Sequence, residues 1–379
     1  MQAHDTGRLG LEGVIAAETE MSWVDGERGR LVLRGHDIET LAGRVPFEAV
    51  CGLLWDGTHP VPESVSGSSP PEIRARLAAA RVAAFARLDE LGLALSSGDG
   101  MAALRAGLGQ LEPSRDATAD RFGLTGAAAV FVAAWSRIRA GMAPVPPDPA
   151  LGHAADYLRM LEGGAPADPR RRDALDAYLV TVVDHGMNAS TFAARVVAST
   201  DSDVVSAVTA AVCALKGPLH GGAPGPVLDM LRAIGTPENA ASWLEQELSR
   251  GGRIMGMGHR VYKVRDPRAA VLERQIEMLE RAGIAPDRLG VARGIERVAL
   301  ELLRERKPER PLKANVEFYT AVLLDAIGLP QALFSPTFAV ARVAGWLAHI
   351  AEQRERGRLL RPRARYVGPD PGAMAESAV

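Results

Sequence analysis

Beyond residue 35 the chain offers almost no material for a sheet. Ala, Leu, Arg and Glu dominate, apolar residues recur at spacings of three and four, and alternating β-branched runs are scarce. Such residues lose little on entering a helix, and that recurrence lays one apolar stripe along it. The pattern predicts a mainly α protein. The exception is residues 11 to 35. There VIAAET and RLVLRG are strand-like, and VDGERG between them supplies an Asp-Gly turn, so a small N-terminal β-hairpin is expected.

Several helix ends are legible. TDSDVVSAVTAAVCALKGP carries Asp and Ser at its start and Gly217-Pro218 at its stop. TFAVARVAGWLAHIAEQRERG predicts a helix from Thr337 to a Gly357 cap. Pro, Ser and Gly mark loops at 57 to 72, 142 to 152 and 162 to 170, and GPDPGAMAESAV predicts a loose tail. The helices around 187 to 215 are rich in small residues, which suits close packing within one chain or between two.

Composition excludes several classes. With 379 residues, 47% hydrophobic, 24% charged and a net charge of -2, the chain is neither disordered nor broadly basic. No case arises for nucleic acid or an anionic membrane as main partner. The two cysteines exclude a disulfide scaffold and a cysteine zinc site, and fit a reducing compartment. No signal peptide is expected from MQAHDTGRLG, and LTGAAAVFVAAW is shorter than the ~20 residues of a membrane span. A cytoplasmic location is expected.

The chemistry concentrates in a few segments. GMGHRVYKVRDPRA (256 to 269) packs a histidine, three arginines, a lysine and an aspartate behind two alternating glycines. Of eight histidines, His185, His220 and His259 sit beside glycine at element ends, where a ring is accessible and the backbone can approach a ligand. Their spacing is not that of a helical metal motif, so no metal is expected. Arg342 shares a helix face with Phe338, in apolar surroundings. Guanidinium groups such as Arg268, Arg342 and Arg361 hold carboxylates in oriented two-point contact, which points to a small polycarboxylate ligand. Glu317, between Val316 and Phe318, has the apolar flanks that raise a carboxyl pKa for general-base work; a helix-start role behind Asn315 is the plainer alternative.

Four blocks in order, DHGMNAST, LKGPLHGGAP, IMGMGHRVYKVRDPRA and NVEFY, with a later FAVARVAGWLAHIAEQ and RLLRP, resemble the citrate synthase family of the bacterial and archaeal type, including 2-methylcitrate synthases. The resemblance implies a nearly all-helical homodimer. A large domain (1–224 and 328–379) and a small one (225–327) would close over oxaloacetate and acetyl-CoA, with no metal and no tightly bound cofactor. It implies that His220 supports the thioester carbonyl, that His259 polarises the ketone of oxaloacetate, and that the carboxylate in NVEFY is the base. His185, Arg268 and Arg342, with Asn188 and Phe338, would hold oxaloacetate. Arg361 would reach the neighbouring subunit's site. Lys263 and Lys313, with Met255, Gly256, Met257 and Gly258, would meet CoA. One departure stands out: the family's base is usually aspartate, and here it is Glu317, one methylene longer.

Two rivals follow. 2-Methylcitrate synthase differs by one methylene of the acyl group, worth only ~1–3 kcal/mol of discrimination. A non-catalytic sensor of CoA or carboxylates draws its only support from Glu317. Some members of that family are regulated by NADH through an added N-terminal region; only about ten residues precede GLEGV, where the resemblance begins, so no such region is expected.

Overall fold

The computed structural model describes residues 10–11, 13–57, 71–258, 262–306 and 312–368. The sheet near the N-terminus has three antiparallel strands in the order β1 (Ser22–Asp25), β2 (Arg30–Leu33), β3 (His36–Asp37). The turn falls where Asp-Gly predicts it. Asp25 Oδ1 accepts the Glu27 and Arg28 backbone N–H groups, and Gly29 takes the left-handed conformation that turns the chain back. The alternation of β2 points Leu31 and Leu33 into the core, both fully buried. VIAAET is not a strand. The chain there has no buried face, with Ile15 86% exposed, and pairing starts only at Ser22.

The remaining elements are helical. They are α1 (Ile38–Leu41), α2 (Phe47–Asp56), α3 (Pro71–Ala86), α4 (Gly100–Leu108), α5 (Ala117–Arg139), α6 (His153–Leu161), α7 (Pro169–Val182), α8 (Ala189–Ala198), α9 (Val204–Leu215), α10 (Pro224–Ile234), α11 (Pro237–Ser249), α12 (Pro267–Arg281), α13 (Arg288–Arg306), α14 (Val316–Ala326) and α15 (Phe334–Arg356). Side-chain caps set many of their starts: Asp99, Asp116, Asp168, Asn188, Asp203, Asp266 and Asn315 each accept backbone N–H groups of the first turn. α15 begins one turn before Thr337 and ends at Gly357, as expected.

Two helices with apolar residues all round sit at the centre. The run LTGAAAVFVAAW is buried throughout in α5, and α15 is buried nearly continuously from Phe334 to Ile350. They pack against each other, with α3, α4 and α6 around α5 and α7, α8 and α9 around α15. Small residues permit the close approach: a Cβ on Gly126 of α5 would lie 2.9 Å from the Ala80 backbone of α3. The small-residue helices α8 and α9 pack on each other. In the later part α11 packs on α13 and α12 on α14, while α12 also lies against α7. Among the described residues no helix is long and apolar enough to cross a membrane.

Candidate active site

The turn between α7 and α8 supplies the first wall. Asn188 caps α8, its Oδ1 accepting from the Ser190 and Thr191 backbone N–H groups. Its Nδ2 reaches back to the carbonyls of His185 and Gly186 at 3.5 and 3.4 Å. Its polar atoms thus shape the turn that presents His185. The His185 Nε2 lies 3.1 Å from the Tyr262 hydroxyl, and the two rings meet edge to face.

His220 follows α9 in a tight glycine turn. Its Nε2 is 2.8 Å from Ser190 Oγ. That hydroxyl also donates to Asn188 Oδ1 at 2.7 Å and receives the Trp346 indole N–H at 3.1 Å. Indole only donates and Asn188 Oδ1 only accepts. With all three contacts made, His220 must be the donor at Nε2, which leaves its Nδ1 as the bare nitrogen. Burial, reinforced by Arg342, brings the imidazole down to about 4, so it is neutral at physiological pH.

The glycine-rich segment is locked onto the start of α14. Gly256 and Gly258 both have φ in the left-handed region, at 73° and 91°. Gly258 donates to the Lys313 carbonyl at 2.7 Å, Met257 bridges Ala314, and Asn315 bonds the carbonyls of Gly256 and Gly258, each at 3.0 Å. A Cβ on Gly256 would come within 2.9 Å of Phe318 Cβ. These glycines therefore let two backbone segments touch, and the contact fixes where α14 begins.

Glu317 is the second residue of that helix and is half-buried. Among the described residues no other side chain forms an ion pair with its carboxylate, which is met by its own backbone N–H. Burial pushes it above the ordinary carboxylate range, with Arg268 and Arg342 acting in the opposite direction. Arg342, in α15, is buried at 1% exposure; its Nε donates to the Val182 carbonyl at 2.6 Å and its guanidinium lies 4.6 Å from the Phe338 ring centre. No carboxylate lies within ion-pair distance of it among the described residues. Burial brings Arg342 down to about 10, with Arg268 adding to the effect, and it stays charged at neutral pH.

Arg268 differs. It grips Asp266 through Nε at 3.0 Å and Nη2 at 2.7 Å, and this pairing outweighs burial and raises its pKa. Asp266 also caps α12. The guanidinium is oriented by its own cap residue, with Nη1 outside that pairing. Arg268 and Arg342 both act electrostatically on Glu317, and Arg342 on His220, which groups these four residues as one candidate site.

Two other expected residues are exposed. Lys263 is exposed and paired with Glu27 in the β1–β2 turn. Arg361 is exposed on the segment after α15. His259 lies outside the described residues. Among those residues no group of three or more His, Cys, Asp or Glu is placed to hold a metal.

Ser190, Trp346 and Tyr262 were not singled out in the sequence, although Ser190 lies inside DHGMNAST. His349, inside α15, is part of a buried polar chain behind the site. Its Nδ1 accepts from Arg195 at 2.8 Å, so its Nε2–H faces Asp184 at 3.1 Å. Asp184 also holds Ser22, whose hydroxyl receives the Gly186 N–H. Asp184 is buried, which raises its pKa, but His349 and Arg342 hold it below the ordinary range.

The chain is similar to known proteins along nearly its whole length. The family described as citrate synthase, C-terminal domain, matches residues 10–363. The citrate synthase of Haloferax volcanii is 40% identical over 375 residues, covering 95% of this chain and 96% of that protein. Citrate synthase 2 of Bacillus subtilis is 37% identical, covering 96% and 97%. Among solved structures, Thermotoga maritima citrate synthase superposes with a TM-score of 0.82 at 32% identity, covering 95% of this chain and 96% of that one. The Thermoplasma acidophilum citrate synthase, a ternary complex with carboxymethyl coenzyme A and oxaloacetate, gives 0.83 at 28% identity and the same coverage. By sequence and by fold, this chain belongs to the citrate synthase family.

Proposed function

We propose that the chain condenses acetyl-CoA with oxaloacetate and water to give citrate and CoA. One observation carries the reading: a carboxyl with a raised pKa, Glu317, and a neutral imidazole, His220, share a site with two buried arginines. A thioester methyl is a very weak acid. A carboxylate removes its proton only if the enolate oxygen receives a hydrogen bond as charge develops, an effect worth ~3–4 kcal/mol. Glu317 takes the proton and His220 supports the oxygen.

Support from His220 requires a proton on Nδ1, since Nε2 faces Ser190. The neutral imidazole therefore changes tautomer through solvent, giving up the Nε2 proton and taking one up on Nδ1, and the Ser190 hydroxyl turns from Asn188 to donate to the bared Nε2. Asn188 Oδ1 keeps its two backbone N–H partners, so the rotation leaves no acceptor orphaned. The enol then attacks the ketone of oxaloacetate, and His259, on the family resemblance, polarises that oxygen. Arg342 and the Nη1 edge of Arg268 hold the carboxylates, beside His185. Water releases CoA from citryl-CoA.

The same reading makes 225–327 a domain that closes over the substrates and excludes water until condensation is done. It makes the protein a cytoplasmic homodimer whose Arg361 serves the neighbouring site, and it assigns CoA to Lys263, Lys313 and residues 255–258. Lys263 would have to exchange Glu27 for a CoA phosphate. No metal or tightly bound cofactor enters the reaction.

The test is CoA thiol release in the presence of oxaloacetate, with acetyl-CoA and propionyl-CoA in parallel. Turnover with acetyl-CoA preferred is the expected result. A propionyl preference would make the protein a 2-methylcitrate synthase. Binding of CoA and oxaloacetate without turnover of either thioester would replace catalysis with a sensing role.

A further inference from the structure

The segment that carries Arg361 is held by two hydrogen bonds just ahead of it. After α15 the described residues, 357 to 368, form no helix or strand. Gln353 Nε2 donates to the Arg358 carbonyl at 3.0 Å, and the Leu360 N–H donates to Ser199 Oγ at 3.0 Å. Ser199 is free to accept because its own proton goes to the Val196 carbonyl at 2.7 Å.

The Gln353 amide has only one possible orientation. Its Oε1 accepts from Arg195 Nε at 2.9 Å, and a guanidinium only donates, so Nε2 must face Arg358. Arg195 is itself immobilised, at 1% exposure, by an ion pair to Glu352 at 2.7 Å and by its contact with His349. From His349 the chain continues through Asp184 to the residue beside His185. A continuous buried set of hydrogen bonds thus runs from the His185 turn to the Arg361 strap.

We propose that Gln353 is a positioning residue for Arg361. Held rigid by Arg195, it sets the path of the strap, with Ser199 as the second tether, so that the guanidinium is presented at a fixed reach to an oxaloacetate carboxylate. This rests on the reading of Arg361 as a carboxylate-binding arginine. Arg361 is exposed, and among the described residues no hydrogen bond or ion pair holds its side chain, so the strap sets where it starts from.

Thiol-release kinetics on the purified oligomer would compare Arg361→Leu, Gln353→Met, Ser199→Ala and the double variant Gln353→Met/Arg361→Leu. Losing the charged contact in Arg361→Leu should raise KM for oxaloacetate about 10- to 100-fold. Ser199→Ala removes one neutral tether, and Gln353→Met removes the other together with the bond from Arg195; the loss of either tether should raise it about three- to tenfold, with KM for the thioester unchanged. The double variant should match Arg361→Leu alone, because a tether has no effect without the group it positions. If Arg361→Leu raises KM but neither tether variant does, or if the effects multiply, Gln353 acts on stability alone and the inference is overturned. An unchanged Arg361→Leu would instead remove the reading of Arg361, and the inference with it. If Gln353→Met does not fold, the Ser199→Ala arm decides.

Discussion

Replacing Glu317 by aspartate, the family's more usual base, should harm this protein. The change removes one methylene and withdraws the carboxylate by roughly 1.5 Å, one carbon–carbon bond. The backbone cannot follow it. Asn315 caps α14, its N–H and amide are bonded at 3.0 Å to Gly256 and Gly258, and Gly258 is bonded at 2.7 Å to Lys313. Gly256 already lies so close to Phe318 that a Cβ would meet it at 2.9 Å. A misplacement of about 1 Å in a reacting group costs ~10²-fold, or about 2.7 kcal/mol of barrier. Glu317→Asp should therefore lower kcat at least ~10²-fold, while KM for oxaloacetate, which depends on the arginines, stays near wild type. Glu317→Gln, with no base at all, should lose ~10²–10⁴-fold and set the floor. Thiol release at saturating oxaloacetate measures both. An aspartate variant within threefold of wild type would refute the argument, since it would mean that the start of α14 is free to shift.

Three further outcomes follow from the same structure. The acid limb of the pH profile of kcat/KM should lie above the ordinary carboxylate range and vanish in Glu317→Gln. Because His220 is already neutral above about 4, a limb that persists in that variant would point elsewhere. His220 has a folded-state pKa below its unfolded value, so the unfolded chain binds the extra proton between about 4 and 6.5. Stability should fall as pH drops through that window, and His220→Gln should flatten the dependence in urea titrations. Arg195→Met strands the buried Glu352 and should cost about 3–5 kcal/mol in chemical denaturation. A cost below 1 kcal/mol would show that Glu352 finds water or another partner.

The local choices were legible because they depend on neighbours in sequence. Asp25-Gly26 marks the turn, Asp203 and Asn315 mark helix starts, and the apolar run 124 to 135 marks a helix buried on every side. VIAAET has strand composition and yet stays unpaired, since a strand needs an edge that composition does not supply. For the candidate site, histidines beside glycine and a carboxylate flanked by apolar residues single out His185, His220 and Glu317 as candidates. The function of the glycines at 256 and 258 was not legible, because their partner is the start of α14 rather than anything nearby in sequence.

By itself the sequence determined a mainly helical chain, its turns and caps, and the residue types able to bind a dicarboxylate and move a proton. Only the tertiary structure decided that Arg268 is oriented by Asp266, that Ser190 stands between His220, Asn188 and Trp346, and that Arg195 meets Gln353 from 158 positions away. The physical reason is that periodicity fixes which face of a helix is buried, whereas the partner of each buried polar group depends on which helix arrives opposite it. A polar group buried without a partner is costly, so the packing of α8 against α15 selects the hydrogen bonds between them.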